Sequence, residues 1–229
     1  MQQTSTRVLA RIGKPTEPLL RSAYVLLATI VGPAHAETTT HLDAIVGSGA
    51  LRVGIDVDMA MSLAHFDIAM GGVTITLDRQ KIGLFSDPVF SSGKTPITHC
   101  GDEPKYETIA AIDQPGVHVI VHPGGTNERF DRTHLPKATI IQWSDNATIF
   151  DALVEGKGDL MITDAVETRV QAKLHPGILC SVHPNAPFDH SELAYWMPRD
   201  PIFSAYVNQW LNLLDLSGEH QAILARWMP

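Results

Sequence analysis

The sequence predicts an α/β protein of two lobes with a ligand cleft between them. Three observations predict it. Strand-like and helix-like segments alternate from Leu42 to Trp227, the pattern of parallel sheets covered by helices. The stretch from about Thr95 to Val182 holds strand–helix repeats of its own and so forms a separate block. Three segments, GGVTITLDR, HPGGTNERF and GDLMITDAVETRV, place glycine, threonine or aspartate where a strand gives way to a turn or helix. Ligands of such sheets bind at those mouths.

The first 36 residues read as an export segment. Arg7, Arg11, Lys14 and Arg21 precede the apolar run Ala23–Val31, and Ala34-His35-Ala36 places small residues around a cleavage point. The run is short for a bilayer span. Cleavage after Ala36 is expected, leaving 193 residues, enough for two small lobes and with no later run suited to a membrane. The remainder carries 13 Lys+Arg against 24 Asp+Glu. That balance argues against nucleic acid as partner and leaves open a small anion, which needs only a local cluster of donors.

Leu42–Gly49 reads as a short helix closed by glycine, and Leu51–Gly54 as a strand. Asp56–Ala64 has a helical apolar spacing in Val57, Met61 and Leu63. Phe66–Met70 is a strand ending at Gly71-Gly72, and Thr76–Arg79 a polar turn or short helix. Phe85–Phe90 is a turn running into extended chain, and Thr95–Cys100 is extended. Next come helix Tyr106–Ile112, strand Val117–Val121, and a helix for which Thr126 is the expected N-cap. Strand Ala138–Ile141, helix Ala147–Val154, strand Leu160–Ile162 and helix Ala165–Leu174 follow. Ile178–Val182 and Leu193–Met197 are further strands. Pro201–Trp227 is helical with a break near Ser217-Gly218. Residues 37–94 and 193–229 are expected to share the first lobe, and 95–192 to form the second. Trp143, Trp196, Trp210 and Trp227 are expected mostly in cores or between helices.

The two cysteines, Cys100 and Cys180, each end a strand-like run. An oxidising destination permits a disulfide, and two buried thiols are the alternative. The histidines, His118, His122 and His175 among them, show no metal-ligand spacing, so no metal site is expected.

In the first mouth, Gly72 lets backbone approach a ligand, Thr74 offers a donor, and Arg79 can grip a carboxylate with paired hydrogen bonds. A surface ion pair for Arg79 is the alternative. In the second, Gly124-Gly125-Thr126-Asn127 opens a helix whose N–H groups can face an anion, or is a plain cap. In the third, Asp164 and Glu167 fit a capping box, in which both carboxylates serve backbone N–H groups. They equally fit an ionised Asp164 facing a ligand ammonium and a Glu167 that donates a proton once burial raises its pKa. The helix start opposes that rise. Lys94 reaches the cleft or stays on the surface, the commoner arrangement for lysine.

The chain resembles the periplasmic solute-binding proteins for polar amino acids, and among them the cyclohexadienyl dehydratase branch. The matching text is LDAIVGSGALRVG, HFDIAMGGVTITLDRQKIGLFSDPVFSSGKTPITHC, IDQPGVHVIVHPGGTNERF, DLMITDAVETR and LCSVHPNAPFD. The resemblance implies a periplasmic-binding-protein-like fold and a periplasmic location. It implies that Gly72, Thr74, Arg79 and Thr126 hold a substrate carboxylate and that Asn127 lines the pocket. Asp164 would hold an amino group, and Glu167 would be the general acid. The implied reaction converts prephenate to phenylpyruvate and arogenate to phenylalanine. The product ring is aromatic, so neither cofactor nor metal is needed. Relatives carry a ligand-contacting loop after the Leu51–Gly54 strand and a strand–helix unit before FDIAM. Both are absent here, so a shortened first lobe is expected. The same fold serves amino-acid-binding components of ABC transporters, and a shortened lobe also suits an inactive remnant. Glu167 separates enzyme from binder, because a binder needs no acid beyond Asp164.

Overall fold

The computed structural model describes residues 39–54 and 65–227. The expected signal peptide and the Asp56–Ala64 helix lie outside the described residues. Helix α1, His41–Ser48, starts on a capping box in which Thr40 and Asp43 exchange side-chain and backbone bonds, and closes on Gly49 in the left-handed region. Strand β1 is described over Val53–Gly54. Strand β2, Ile68–Thr74, runs through the glycines expected to end it, with Gly72 at φ 75°. Glycine tolerates that angle without strain. Helix α2 is the single turn Leu77–Gln80, capped by Thr76. Strands β3, Leu84–Phe85, and β4, Phe90–Ser92, follow.

The chain then crosses to a second sheet through Gly93. A Cβ there would collide with the Asp189 carbonyl, because the return crossing packs directly against it. Lys94 N donates to Asp189 Oδ1 (2.6 Å), and Phe188 N to Lys94 O (2.7 Å). The second sheet contains β5, Lys94–His99; β6, His118–Val121; β7, Thr139–Gln142; β8, Leu160–Asp164; and β9, Leu179–Ser181. Its helices are α3, Ile109–Ile112; α4, Thr126–His134; α5, Ile149–Val154; and α6, Ala165–Leu174. Strand β10, Ser191–Met197, returns to the first sheet, and α7, Pro201–Ser217, and α8, Glu219–Trp227, end the chain. Gly218, in the left-handed region, separates α7 from α8.

The first sheet has the order β1-β2-β10-β3, with β4 also pairing β10. The second has the order β7-β6-β8-β5-β9. Both are mixed rather than purely parallel: β10 is antiparallel to β2, β3 and β4, and β5 is antiparallel to β8 and β9. Strand–helix alternation specifies the crossovers but not the direction of strands that enter from the other sheet.

The second sheet is packed on both faces. Ile97, Ile120, Met161 and Leu153 form one core; Val119, Leu160, Ile162, Phe130 and Tyr106 form the other. Neighbouring strand residues thus point alternately into the two cores. In the first sheet, Ile68 and Met197 pack against Phe203, Val207 and Leu211 of α7. Its other face carries a smaller cluster of Ala69, Val73 and Trp196. Cys100 and Cys180 form a disulfide, Cα–Cα 4.9 Å, beside the β5–β9 pairing. Trp196 is buried, but Trp210 and Trp227 are exposed, against the expectation of packed positions. Trp210 instead lies beside Tyr195 at the edge of the α7 contact. Among the described residues no helix is long and apolar enough to cross a membrane.

Candidate functional site

A cavity of about 400 Å³ opens between the two sheets, lined by Gly72, Thr74 and Arg79 from one side and Thr126, Asn127, Asp164 and Glu167 from the other. All three mouths therefore face one cleft. Thr76 caps α2 and sets Arg79 in its only turn, where the guanidinium donates to Thr74 O (2.8 Å). Thr74 and Thr126 hydroxyls meet across the cleft at 3.3 Å.

Thr126 is not the N-cap. Gly125 takes that position, and Thr126 is the first helical residue, so its hydroxyl is free to point into the cleft. The loop before α4 is held by Glu128, which accepts from Gly124 N (2.7 Å), Arg132 and Gln142. Those bonds, the Gly124 N–H first, hold its carboxyl down at about 2.

Lys94 is the residue whose placement differs most from the usual lysine. It is 3% exposed. Its Nζ donates to Asp164 Oδ1 (3.0 Å), Asn127 Oδ1 (2.5 Å) and Thr126 Oγ1 (3.1 Å). The β5–β8 register creates this: Lys94 lies opposite Asp164, and Thr95 opposite Thr163. A buried ammonium needs such a set of acceptors.

The capping-box alternative for Asp164 and Glu167 does not occur. Asp164 occupies the N-cap position of α6 but makes no side-chain cap bond. Glu167 Oε2 accepts from the Thr163 hydroxyl (2.5 Å), which in turn accepts from Asn127 Nδ2 (3.0 Å). Burial pushes the Glu167 carboxyl up, and Asp164 adds to the rise; Thr163 and Lys94 oppose it. Desolvation is the largest of these influences. A carboxyl of this kind keeps its proton where an ordinary one loses it.

The apolar lining comes from both sides: Phe90 and Leu193 from the first sheet, and Val166 and Val170 from α6. His122, Asn146 and Gln171 also line the cavity and were missed by sequence reasoning. His122 had a usable signal: it directly follows Val121, the last residue of β6, and strand ends are where such clefts form. Among the described residues no group of His, Cys, Asp and Glu could hold a metal ion.

Residues 53–229 match the model of the bacterial extracellular solute-binding proteins, family 3. The chain is 42% identical over 252 residues to cyclohexadienyl dehydratase of Pseudomonas aeruginosa, covering 91% of this chain and 94% of that protein. Those 252 positions exceed 91% of 229 residues, so the relative carries segments that this chain lacks. A more distant similarity, 30% over 98 residues, is to the ABC transporter glutamine-binding protein GlnH of Bacillus subtilis, covering 43% of this chain and 35% of that one. Among solved structures, an ancestral amino acid-binding protein described as a precursor of cyclohexadienyl dehydratase superposes with a TM-score of 0.69. It is 28% identical, and the match covers 82% of this chain and 99% of that one.

Proposed function

The chain belongs to family 3 of the bacterial extracellular solute-binding proteins, and within that family we propose that it is a lyase converting prephenate to phenylpyruvate and arogenate to phenylalanine. The observation that carries this reading is Glu167: a carboxyl whose hold on its proton burial strengthens, lining the same cleft as Arg79. Similarity to an enzyme over nearly the whole of both chains supports it. The protein acts in the periplasm after loss of residues 1–36. The first lobe takes the described strands up to β4 together with β10 and the helices after it, and the second takes β5 to β9, so the crossings fall at Gly93 and just before Ser191 rather than after residues 94 and 192.

Arg79, Thr74 and Thr126 hold the side-chain carboxylate, and the Gly72 backbone lets it approach. The ring lies along Phe90, Val166 and Leu193. Hydroxide is a poor leaving group, so Glu167 gives its proton to the ring 4-hydroxyl as the C4–O bond breaks. The bond from C1 to the ring carboxylate breaks in concert, its electron pair enters the ring, and carbon dioxide and water depart. Thr163 fixes Glu167 Oε2, so Oε1 carries the proton; the carboxylate left behind is reprotonated from solvent. Fixing both ends of the substrate supplies the alignment that concerted loss needs.

A transport-type amino-acid binder would use Asp164 to hold the ligand ammonium. Here Lys94 already pairs with Asp164, so a ligand ammonium would meet a fixed cation. The test is Glu167→Gln assayed with prephenate. The maximal rate is expected to fall by about 10²-fold or more, with phenylpyruvate affinity little changed. A variant that keeps nearly full rate removes Glu167 as the acid.

A further inference from the structure

Asp131 lies one helical turn beyond Asn127 on α4 and is fully buried, at 0% exposure. Neither of its carboxylate oxygens has a hydrogen-bond partner. No step of the proposed reaction uses it. A charged carboxylate is not kept in such a place without compensation. Burial accordingly pushes its carboxyl up to about 8.

Among the described residues the groups around it are few. From β5, Lys94 is the leading opposing influence and favours ionisation. From its own helix, Glu128 and Arg132 act in opposite senses and are joined to each other at 2.6 Å. Strands β6 and β8 pack beneath α4. β6 contributes buried Val119, Ile120 and Val121, and β8 ends in Asp164, already paired with Lys94. Glu167 of α6 is itself influenced by Lys94. Lys94 Nζ donates to Asn127 Oδ1 (2.5 Å), one turn before Asp131 on the same helix, so the ammonium that serves the cleft is anchored one turn from Asp131.

We propose that Asp131 is a positioning residue that sets the charge balance of Lys94: as a neutral acid it leaves the ammonium committed to the cleft, and on ionising it draws that charge away. With Asp131 and Glu167 neutral, the charged side chains at the cleft among the described residues are Arg79, Lys94 and Asp164, an excess of one positive charge suited to an anionic ligand. Loss of the Asp131 proton to solvent cancels that excess. The hold on an anion then weakens as pH rises. The choice of phenylpyruvate as probe rests on the dehydratase reading; the coupling between Asp131 and Lys94 does not.

The experiment labels the protein with lysine enriched in 13C at Cε and follows the Lys94 resonance, assigned with Lys94→Arg, across pH. All titrations are run in Glu167→Gln, so that ionisation of Glu167 cannot supply the signal. A step near pH 8 is expected, and Asp131→Asn should abolish it. Phenylpyruvate affinity should weaken several-fold across the same interval, and it should stay flat once Asp131→Asn has removed the titrating group. No Lys94 step overturns the proposal, and this reading needs no Asp131 variant to fold. A step that persists in Asp131→Asn, or in Asp131→Leu should the first not fold, also overturns it. Equal pH dependence of affinity with and without Asp131 overturns the role in ligand binding. A Lys94 step that Asp131 controls, in a protein that binds no phenylpyruvate at any pH, upholds the coupling and sinks the dehydratase reading instead.

Discussion

The two sheets differ in how completely they are covered. The second has a core on each face, and a disulfide links the regions of β5 and β9. The first has one well-filled face, against α7, and a small cluster around Trp196 on the other. Of the large apolar side chains left exposed among the described residues, Leu174 and Ile178 belong to the second sheet's segments; the others, Leu51, Val53, Ile202, Tyr206, Leu213 and Leu216 among them, belong to the first's. Its first strand, β1, is described over Val53–Gly54, where the described stretch ends. Exposed apolar side chains are the expected result when a strand–helix unit is missing, and the relative does carry segments this chain lacks. The chemistry sits on the better covered side. Lys94, Asn127, Thr163, Asp164 and Glu167 all come from the second sheet and its helices, whereas the first contributes Gly72, Thr74 and Arg79. Loss from the first sheet therefore threatens clamping and closure before it threatens the acid.

Four measurements sharpen or break that contrast. The largest effect is expected from Phe203→Ala, which empties the contact between α7 and the first sheet at a cost of about 3–5 kcal/mol. With so little cover elsewhere, the first sheet should then melt ahead of the second, giving two calorimetric transitions. One undivided transition would show that the sheets are equally robust. Replacing both Cys100 and Cys180 with serine should cost about 2–5 kcal/mol. Because both second-sheet cores remain, unfolding should stay cooperative; loss of cooperativity would mean that the disulfide, not packing, makes the second sheet the sturdier.

A pH-dependent effect is expected at Asp131, inside the second sheet's own core. Its folded carboxyl sits at about 8 against an ordinary 3.8. Below about pH 4 both folded and unfolded chains hold the proton, and the contribution is constant. Between those values the unfolded chain releases a proton that the folded one keeps, so stability falls as pH rises, and it levels off above 8. Asp131→Asn should erase that slope, its melting temperature gaining on the parent protein from pH 5 to 8. A constant difference across pH would place a partnered, charged Asp131 in the core. The smallest effect belongs to Leu213→Glu on the exposed flank of α7. Stability should change by no more than about 0.5 kcal/mol, while light scattering at high concentration should drop if that flank drives association.

Much of this was readable from sequence, for physical reasons that differ by element. Helix Ala165–Leu174 appears at its expected bounds because its own spacing and the preceding strand both specify it. The Tyr106–Ile112 helix shrinks to Ile109–Ile112: Thr108 caps it, and Tyr106 is buried in the core before the helix starts. Gly71-Gly72 looked like a strand end and is instead strand, because pairing with β10 continues past it to Thr74. The three mouths could be found by composition. What brings them to one cleft could not, since Lys94 acquires its partners only through the β5–β8 register. Asp131 gave no signal at all, because an acid in a polar helix such as TNERFDRTH looks solvated until the helix is docked.

The crossing at Gly93 has a consequence for how the molecule is made. The five described strands of the second sheet fall between Lys94 and Ser181, in one uninterrupted stretch. The first sheet cannot close until β10 arrives, and its Leu193–Thr74 pairing joins residues far apart in the chain. Long-range closure is entropically slow, whereas a contiguous stretch can organise as soon as it emerges. During synthesis the middle of the chain can therefore assemble first, carrying Lys94, Asp164 and Glu167 already in register, while β2, whose one edge can pair with β1, waits with its other edge open for the C-terminal segment. The vulnerable interval in the life of this protein is that wait, and its length is set by how quickly residues 191–217 follow.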